Sequence, residues 1–278
     1  MYSNFSDRRC LFYEFCKNLS KLVNLTAVAA ACFMLSACSS SKQLPPEVDA
    51  SGAGTGGSHA VFPHFLDKSM YPDYRTVVVE PPAKGSALFK NDVKIYKETR
   101  KLKGTQAWTD AAAGASLSAD YLSQFFTPAY GIEISKEKTP WTYYLIKRVI
   151  GDAIDGGTRT PKKVYQRLRP YVYFGERTCS TKEDDDKHVN SGSYPSGHST
   201  YGYLLALILS EINPANQDEI YKLGIKYGYN RVVCGFHWQS DVEMGRRIAA
   251  YVNARLHADK DFMTALANAK AEFAAAKK

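Results

Sequence analysis

A chain of 278 residues, 45% hydrophobic and 23% charged, has apolar mass for one good-sized core and is too apolar to be disordered. Its 36 Lys and Arg against 28 Asp and Glu leave a net charge of +8, which favours anionic partners such as phosphates or membrane surfaces. The basic residues are scattered without a dense block, which argues against nucleic acid as a partner.

Arg8, Arg9, Lys17 and Lys21 precede LVNLTAVAAACFMLSAC, an apolar run that ends in small residues and is short for a spanning helix. Residues 1–37 therefore have the shape of a secretory signal peptide. The ending LSAC resembles the lipobox of bacterial lipoproteins, which implies acylation of Cys38; Ser39, where aspartate would mark inner-membrane retention, implies the outer membrane on its periplasmic side. An ordinary cleaved signal peptide is the other reading. Cys10, Cys16 and Cys32 would be removed with the signal, so only Cys179 and Cys234 remain in the folded part of an exported chain; one disulfide between them is expected. Residues 38–60, rich in Ser, Gly and Pro, read as a flexible tether, and 61–278 as one domain.

Within that domain RTVVVE (75–80) is the most strand-like run, read as an extended approach to Pro81-Pro82. Thr139 and Pro140 open a helix whose Trp141, Leu145, Val149 and Ala153 recur on one face until Gly156-Gly157 ends it. Thr160-Pro161 restarts a short helix with Val164, Tyr165 and Leu168 inward. KEDDDKH (182–188) reads as a solvated loop. Pro195, in SYPSGHST (193–200), opens a helix running into YLLALIL, which has no polar face and is expected at the centre. Asn213-Pro214 begins another helix, carrying Ile220, Leu223 and Tyr227; Ser240 caps a last long one, with Met244, Ile248, Val252 and Leu256 four apart. The sum is an all-α helical bundle.

Three segments hold polar residues that a bundle does not need. KKVYQRLRP sets Lys162 and Arg169 seven apart, two helical turns on one face. PSGH brings Ser196, Gly197 and His198 to a helix start. NRVVCGFHWQSD spaces Arg231, His237 and Asp241 by six and four. Each alone has an ordinary reading: a solvated face, a turn, a core histidine with its partner. His198, His237 and Asp241 are also legal zinc ligands, but a zinc ion would sit among Lys162, Arg169 and Arg231. Together they suit phosphoryl transfer through histidine. Arginine grips phosphate in a fork, lysine adds a point charge, and free N–H groups at a helix start favour an anion. A neutral imidazole held at its far nitrogen can attack phosphorus, and a second, protonated histidine can donate to the leaving oxygen.

The ordered set K-x6-R-P, P-S-G-H and R-x5-H-x3-D resembles the signature of the type 2 phosphatidic acid phosphatase superfamily. Its soluble branch is the class A bacterial non-specific acid phosphatases, its halogenating branch the vanadium haloperoxidases. GSYPSGHST and RVVCGFHWQSD are similar to the class A versions. The resemblance implies the all-α acid phosphatase/vanadium-dependent haloperoxidase fold and hydrolysis of a broad range of small organic phosphomonoesters, with no metal or other cofactor. By position it implies His237 as nucleophile, Asp241 holding its distal nitrogen, and His198 as acid and then base. It implies Lys162, Arg169, Ser196, Gly197 and Arg231 as phosphate ligands. Asn230 stands where the family usually has serine. The same site would serve a lipid-phosphate or undecaprenyl-pyrophosphate phosphatase, a haloperoxidase, or a lipoprotein that only captures phosphate compounds. Family members often pair, which leaves a homodimer open; no stretch marks an interface. Tyr194, Phe236 and Trp238 read as core packing.

Overall fold

The computed structural model describes residues 43–48, 62–71 and 73–277; the expected signal peptide, Cys38 and all of the expected tether except residues 43–48 lie outside these. Among the described residues there is no strand. The α-helices follow in order as α1 Ala87–Arg100, α2 Gln106–Ala113, α3 Ala119–Tyr130, α4 Pro140–Arg148, α5 Arg159–Tyr165, α6 Pro170–Phe174, α7 Lys182–His188, α8 Gly197–Ile212, α9 Gln217–Val233, α10 Gln239–Leu256 and α11 Lys260–Ala276. None is long and apolar enough to cross a membrane. Several starts are chemically marked: Ser86, Ser118, Ser196 and Asp259 each accept a free first-turn N–H, from Phe89, Tyr121, Ser199 and Phe262.

α8 is the central element, as its unbroken apolar run predicts. Most of its residues are buried, and it packs between α9 and α10 while touching α11. Glycine permits the close approach. A Cβ at Gly202 would fall 2.3 Å from the Tyr227 ring, and one at Gly224 2.5 Å from Ala206 Cβ. Ile220 and Tyr227 of α9, and Met244, Ile248, Val252 and Leu256 of α10, are buried as their spacing predicts.

Several expectations are corrected. The face Trp141, Leu145, Val149 and Ala153 is buried, but α4 stops at Arg148 and residues Asp152–Gly156 wind into a wider π turn. There the Asp152 carboxylate accepts the N–H groups of Phe65 (2.9 Å) and Leu66 (3.0 Å) and the Tyr71 hydroxyl (2.6 Å), pinning segment 62–71 to the bundle. α5 ends at Tyr165 because Gln166 turns left-handed (φ 43°). Val164 and Leu168 are consequently exposed rather than inward, and Lys162 and Arg169 do not share a helix. KEDDDKH is helix α7, not loop: Thr181 caps it and Asp185 is buried. RTVVVE forms a 3-10 turn at Tyr74–Thr76 followed by irregular chain. Ser196, not Pro195, caps α8. α10 begins after Trp238, and the Ser240 hydroxyl donates to Asp92 of α1 instead of capping. Helix α11 comes after it, a further element beyond the expected last one.

Candidate active site

The R-x5-H-x3-D spacing is produced by two helix ends. Arg231 lies in the last turn of α9, and Gly235 at φ 81° reverses the chain behind it. The N–H groups of Phe236 and His237 then both donate to the Arg231 carbonyl, at 3.0 and 3.1 Å, which folds His237 back over Arg231. Asp241 is the third residue of α10. Its Oδ2 reaches back to accept the Trp238 N–H at 2.8 Å, the reciprocal half of a capping box, and lies 3.1 Å from His237 Nδ1. The His–Asp pair is thus a by-product of starting a helix. His237 Nε2 is left to face Arg169, whose Nη1 donates toward it at 3.3 Å. That contact needs a lone pair on Nε2, so the neutral ring carries its proton on Nδ1, toward Asp241.

PSGH sits on the adjacent helix start. The Ser196 N–H donates to the Asp241 carbonyl at 2.9 Å, tying α8 to α10. Among the described residues the nearest atom from elsewhere in the chain to a side chain at Gly197 would be Thr158 Oγ1 at 3.5 Å, an ordinary contact, so tertiary packing there does not demand glycine. His198 donates through Nε2 to the Ala115 carbonyl at 3.0 Å. Its other nitrogen, Nδ1, is then the one left for chemistry.

Lys162 and Arg169 meet on segment 191–193. Lys162 Nζ donates to the Gly192 and Ser193 carbonyls, each at 3.0 Å. Arg169 Nη2 donates to the same Gly192 carbonyl at 3.3 Å and to Ser191 Oγ at 2.9 Å. Arg169 and Arg231 both lie over the Phe236 ring, each 4.4 Å from its centre, so Phe236 seats two guanidinium groups besides packing. Asn230 faces α2: a Cβ on Gly114 would come within 2.9 Å of its Nδ2.

Lys162, Arg169 and Arg231 bring three cations together inside the protein. Arg231 is 1% exposed, and its Nε and Nη1 have no hydrogen-bond partner among the described residues. Burial pushes Lys162 down, helped by Arg169, and brings Arg169 down to about 10. Burial, then Arg169, Lys162 and Arg231, hold His237 well below the usual histidine range. Burial, then Arg231, do the same to His198. Buried cations with unspent donors are unfavourable unless an anion completes them. The cluster thus has the charge and the unspent donors that an anion would complete, beside two histidines whose neutral forms are favoured.

All the residues singled out in the three segments gather here. The disulfide Cys179–Cys234 forms, with a Cα separation of 4.7 Å, beside Arg231. Sequence reasoning missed Arg167, although it stands inside KKVYQRLRP: its Nη1 donates to Asp241 Oδ1 at 2.7 Å. It also missed Tyr227, whose hydroxyl holds the Ser116 carbonyl at 2.6 Å and so steadies the turn that receives His198.

Residues 142–260, which include all three segments from their first cation to Asp241, match the PAP2 superfamily. Over 215 residues, 77% of this chain and 86% of the relative, the sequence is 43% identical to a non-specific acid phosphatase of Providencia stuartii. Over 192 residues, 69% of this chain and 76% of the relative, it is 38% identical to a non-specific acid phosphatase of Salmonella typhimurium. An acid phosphatase of Zymomonas mobilis is 37% identical over 182 residues, 66% of this chain and 68% of its own length.

Proposed function

Because this chain belongs to the class A non-specific acid phosphatases of the PAP2 superfamily, and so hydrolyses phosphomonoesters, we propose that it works through a phosphohistidine on His237. The observation that carries this reading is the orientation of that ring: Nδ1 is held by Asp241, and Nε2 turns its lone pair to the cations, with Arg169 Nη1 3.3 Å away.

In the first step the Nε2 lone pair attacks phosphorus and the P–O bond to the alcohol breaks. With the phosphate dianion bound His198 is an imidazolium, and the leaving oxygen takes its Nδ1 proton while Nε2–H stays on the Ala115 carbonyl, which leaves His198 neutral for the second step. The phosphoryl oxygens take up the donors of Arg231 and Arg169, the Lys162 charge, the Ser196 hydroxyl and the Gly197 N–H. Asp241 balances the imidazolium formed. In the second step neutral His198 takes a proton from water, the oxygen attacks phosphorus, the P–N bond breaks with its electrons returning to Nε2, and inorganic phosphate leaves. Arg169, Arg231 and Lys162 supply the fixed positive charge, so neither step calls for a metal.

A grip confined to the phosphate group suits a broad range of water-soluble phosphomonoesters. With Cys38 acylated and residues 39–60 as tether, the enzyme would work in the periplasm from the outer membrane. His237→Ala is expected to abolish turnover of an aryl phosphate, whereas a chelator leaves it intact. Acid-stable labelling of the protein in place of the acid-labile, base-stable adduct of a phosphohistidine would reject the mechanism. Turnover of nucleotides, phosphatidate and undecaprenyl pyrophosphate, compared side by side, separates small phosphomonoesters from lipid phosphates.

A further inference from the structure

Two buried charges beside the site have no part in these steps. The side chain of Arg167 is 8% exposed and that of Asp92 2%. Arg167 Nη1 donates to Asp241 Oδ1 and to Ser240 Oγ, both at 2.7 Å, and Nη2 donates to Asp92 Oδ2 at 2.7 Å. Asp92 also accepts the Ser240 N–H at 2.9 Å and the Ser240 hydroxyl at 2.6 Å. The guanidinium lies 5.3 Å over the Trp238 ring. Stability gives little reason for such a cluster, since a buried ion pair does no better than apolar packing of the same volume. Its geometry does give one. The two oxygens of Asp241 are divided, Oδ1 to Arg167 and Oδ2 to His237 Nδ1 and the Trp238 N–H.

We infer that Arg167, itself held by Asp92 of α1, is a positioning residue: it fixes the Asp241 carboxylate in the one rotamer that leaves Oδ2 to His237. It acts on phosphorus only through Asp241 and His237, so this role rests on the phosphohistidine reading. Arg167 also keeps Asp241 charged. Lys162 on α5, Arg167 and Arg169 after it, Asp92 on α1, Tyr194 ahead of α8 and His237 face this carboxyl. Burial pushes it up; Arg167 is the strongest influence pulling it down, ahead of the Trp238 N–H and Lys162, and Asp92 opposes them. Without Arg167 the carboxyl protonates at higher pH, and a protonated Asp241 cannot balance the imidazolium.

The test compares Arg167→Gln and Arg167→Lys with the unsubstituted chain on an aryl phosphate, across pH, with inorganic phosphate as competing ligand. Arg167→Gln is expected to lower kcat about 10- to 100-fold, the scale on which outer partners of site ligands count. The acid limb of its kcat profile moves up by about one to three pH units, the usual effect of an opposite charge at contact distance. Inhibition by inorganic phosphate stays near the unsubstituted value, because Arg167 does not grip phosphate; a merely structural role would weaken binding and leave the limb in place. Arg167→Lys, which keeps the charge but cannot fork between Asp92 and Asp241, should show the same changes in smaller measure. If Arg167→Gln does not fold, Arg167→Lys decides by the same readings. A folded variant with unaltered kcat and acid limb overturns the inference. A His237→Ala chain that still turns over strikes the phosphohistidine reading itself; an inactive His237→Ala beside an unaltered Arg167→Gln strikes only the role of Arg167.

Discussion

His198 is partly buried and His237 buried, both within reach of the Arg231 charge, and both are held well below the usual histidine range. The unfolded chain therefore takes up protons on these rings first, at about pH 6.5. Beneath that pH the unfolded state binds more protons than the folded one, so stability falls with pH until the folded pKa values are reached. A bound phosphate dianion offsets the cations and returns the rings toward protonation, which is also what His198 needs in order to act as an acid. The expected outcome is a thermal midpoint that falls from pH 7 to pH 5 in phosphate-free buffer and falls less with orthovanadate bound. In a His198→Asn, His237→Asn double variant the phosphate-free decline should flatten; an unchanged decline would show that other groups cause it. These residues were legible in the sequence because local geometry fixes their spacing: a Gly-terminated helix end joins Arg231 to His237, and a first helical turn joins His237 to Asp241. Arg167 was not, although it lies between Lys162 and Arg169. Its partners are 75 and 74 residues away, and a charge paired only through the tertiary fold leaves no local pattern.

At the scale of elements, the site depends on how closely α10 approaches the start of α8. A Cβ at Gly245 would stand 2.7 Å from the Ser196 carbonyl oxygen and 2.9 Å from Ser199 Cβ. The first neighbour is backbone at a helix cap and cannot swing aside. Gly245→Ala should therefore cost about 1–3 kcal/mol of stability, the usual range for overpacking. Because the same carbonyl belongs to the residue whose N–H is tied to Asp241, kcat should fall with it. Chemical unfolding and steady-state kinetics on the one variant check both; a stable, fully active protein would show that the two helices part freely. Apolar periodicity revealed α4, α9 and α10, because burial on one face is what creates periodicity, and an apolar run with no polar face revealed the central place of α8, whereas α11 was not foreseen. It could not reveal the glycine contacts, since an absent side chain adds nothing to the pattern. α7 was hidden for the opposite reason: KEDDDKH is almost wholly charged, and its helix rests on the Thr181 cap, acidic residues in the first turn and basic ones in the last. The left-handed Gln166 explains the misread α5, because glutamine carries no turn signal.

For the molecule as a whole, the open question is where the folded part begins. Composition sets the end of the tether near residue 60, since Ser, Gly and Pro run up to that point. Segment 62–71, just beyond it, is a working part of the bundle. Phe65 meets the rings of Tyr144 and Phe262 edge-on, at 5.9 and 5.4 Å, and Leu66 is fully buried. Asp152, 87 residues on from Phe65, depends on this segment for two backbone donors and the Tyr71 hydroxyl. Burial already pushes the Asp152 carboxyl up, and those donors are what hold it down. A chain beginning at Val61 loses Val48, which packs on the core and whose carbonyl accepts from Lys147 Nζ at 2.9 Å, but should keep kcat and most of the thermal midpoint of the longer protein. One beginning at Asp73 leaves a buried carboxylate without its donors, a loss of about 3–5 kcal/mol for an uncompensated charge. It also opens the apolar site filled by Phe65 and Leu66, which lowers its thermal midpoint further. Asp152→Asn separates the two losses. In the chain beginning at Asp73 it should recover part of the stability by removing the charge, whereas in the chain beginning at Val61 it should destabilise, because the amide cannot accept three donors as the carboxylate does. Thermal midpoints of the four proteins test this, and equal midpoints for the two starting points would mean that segment 62–71 belongs to the tether.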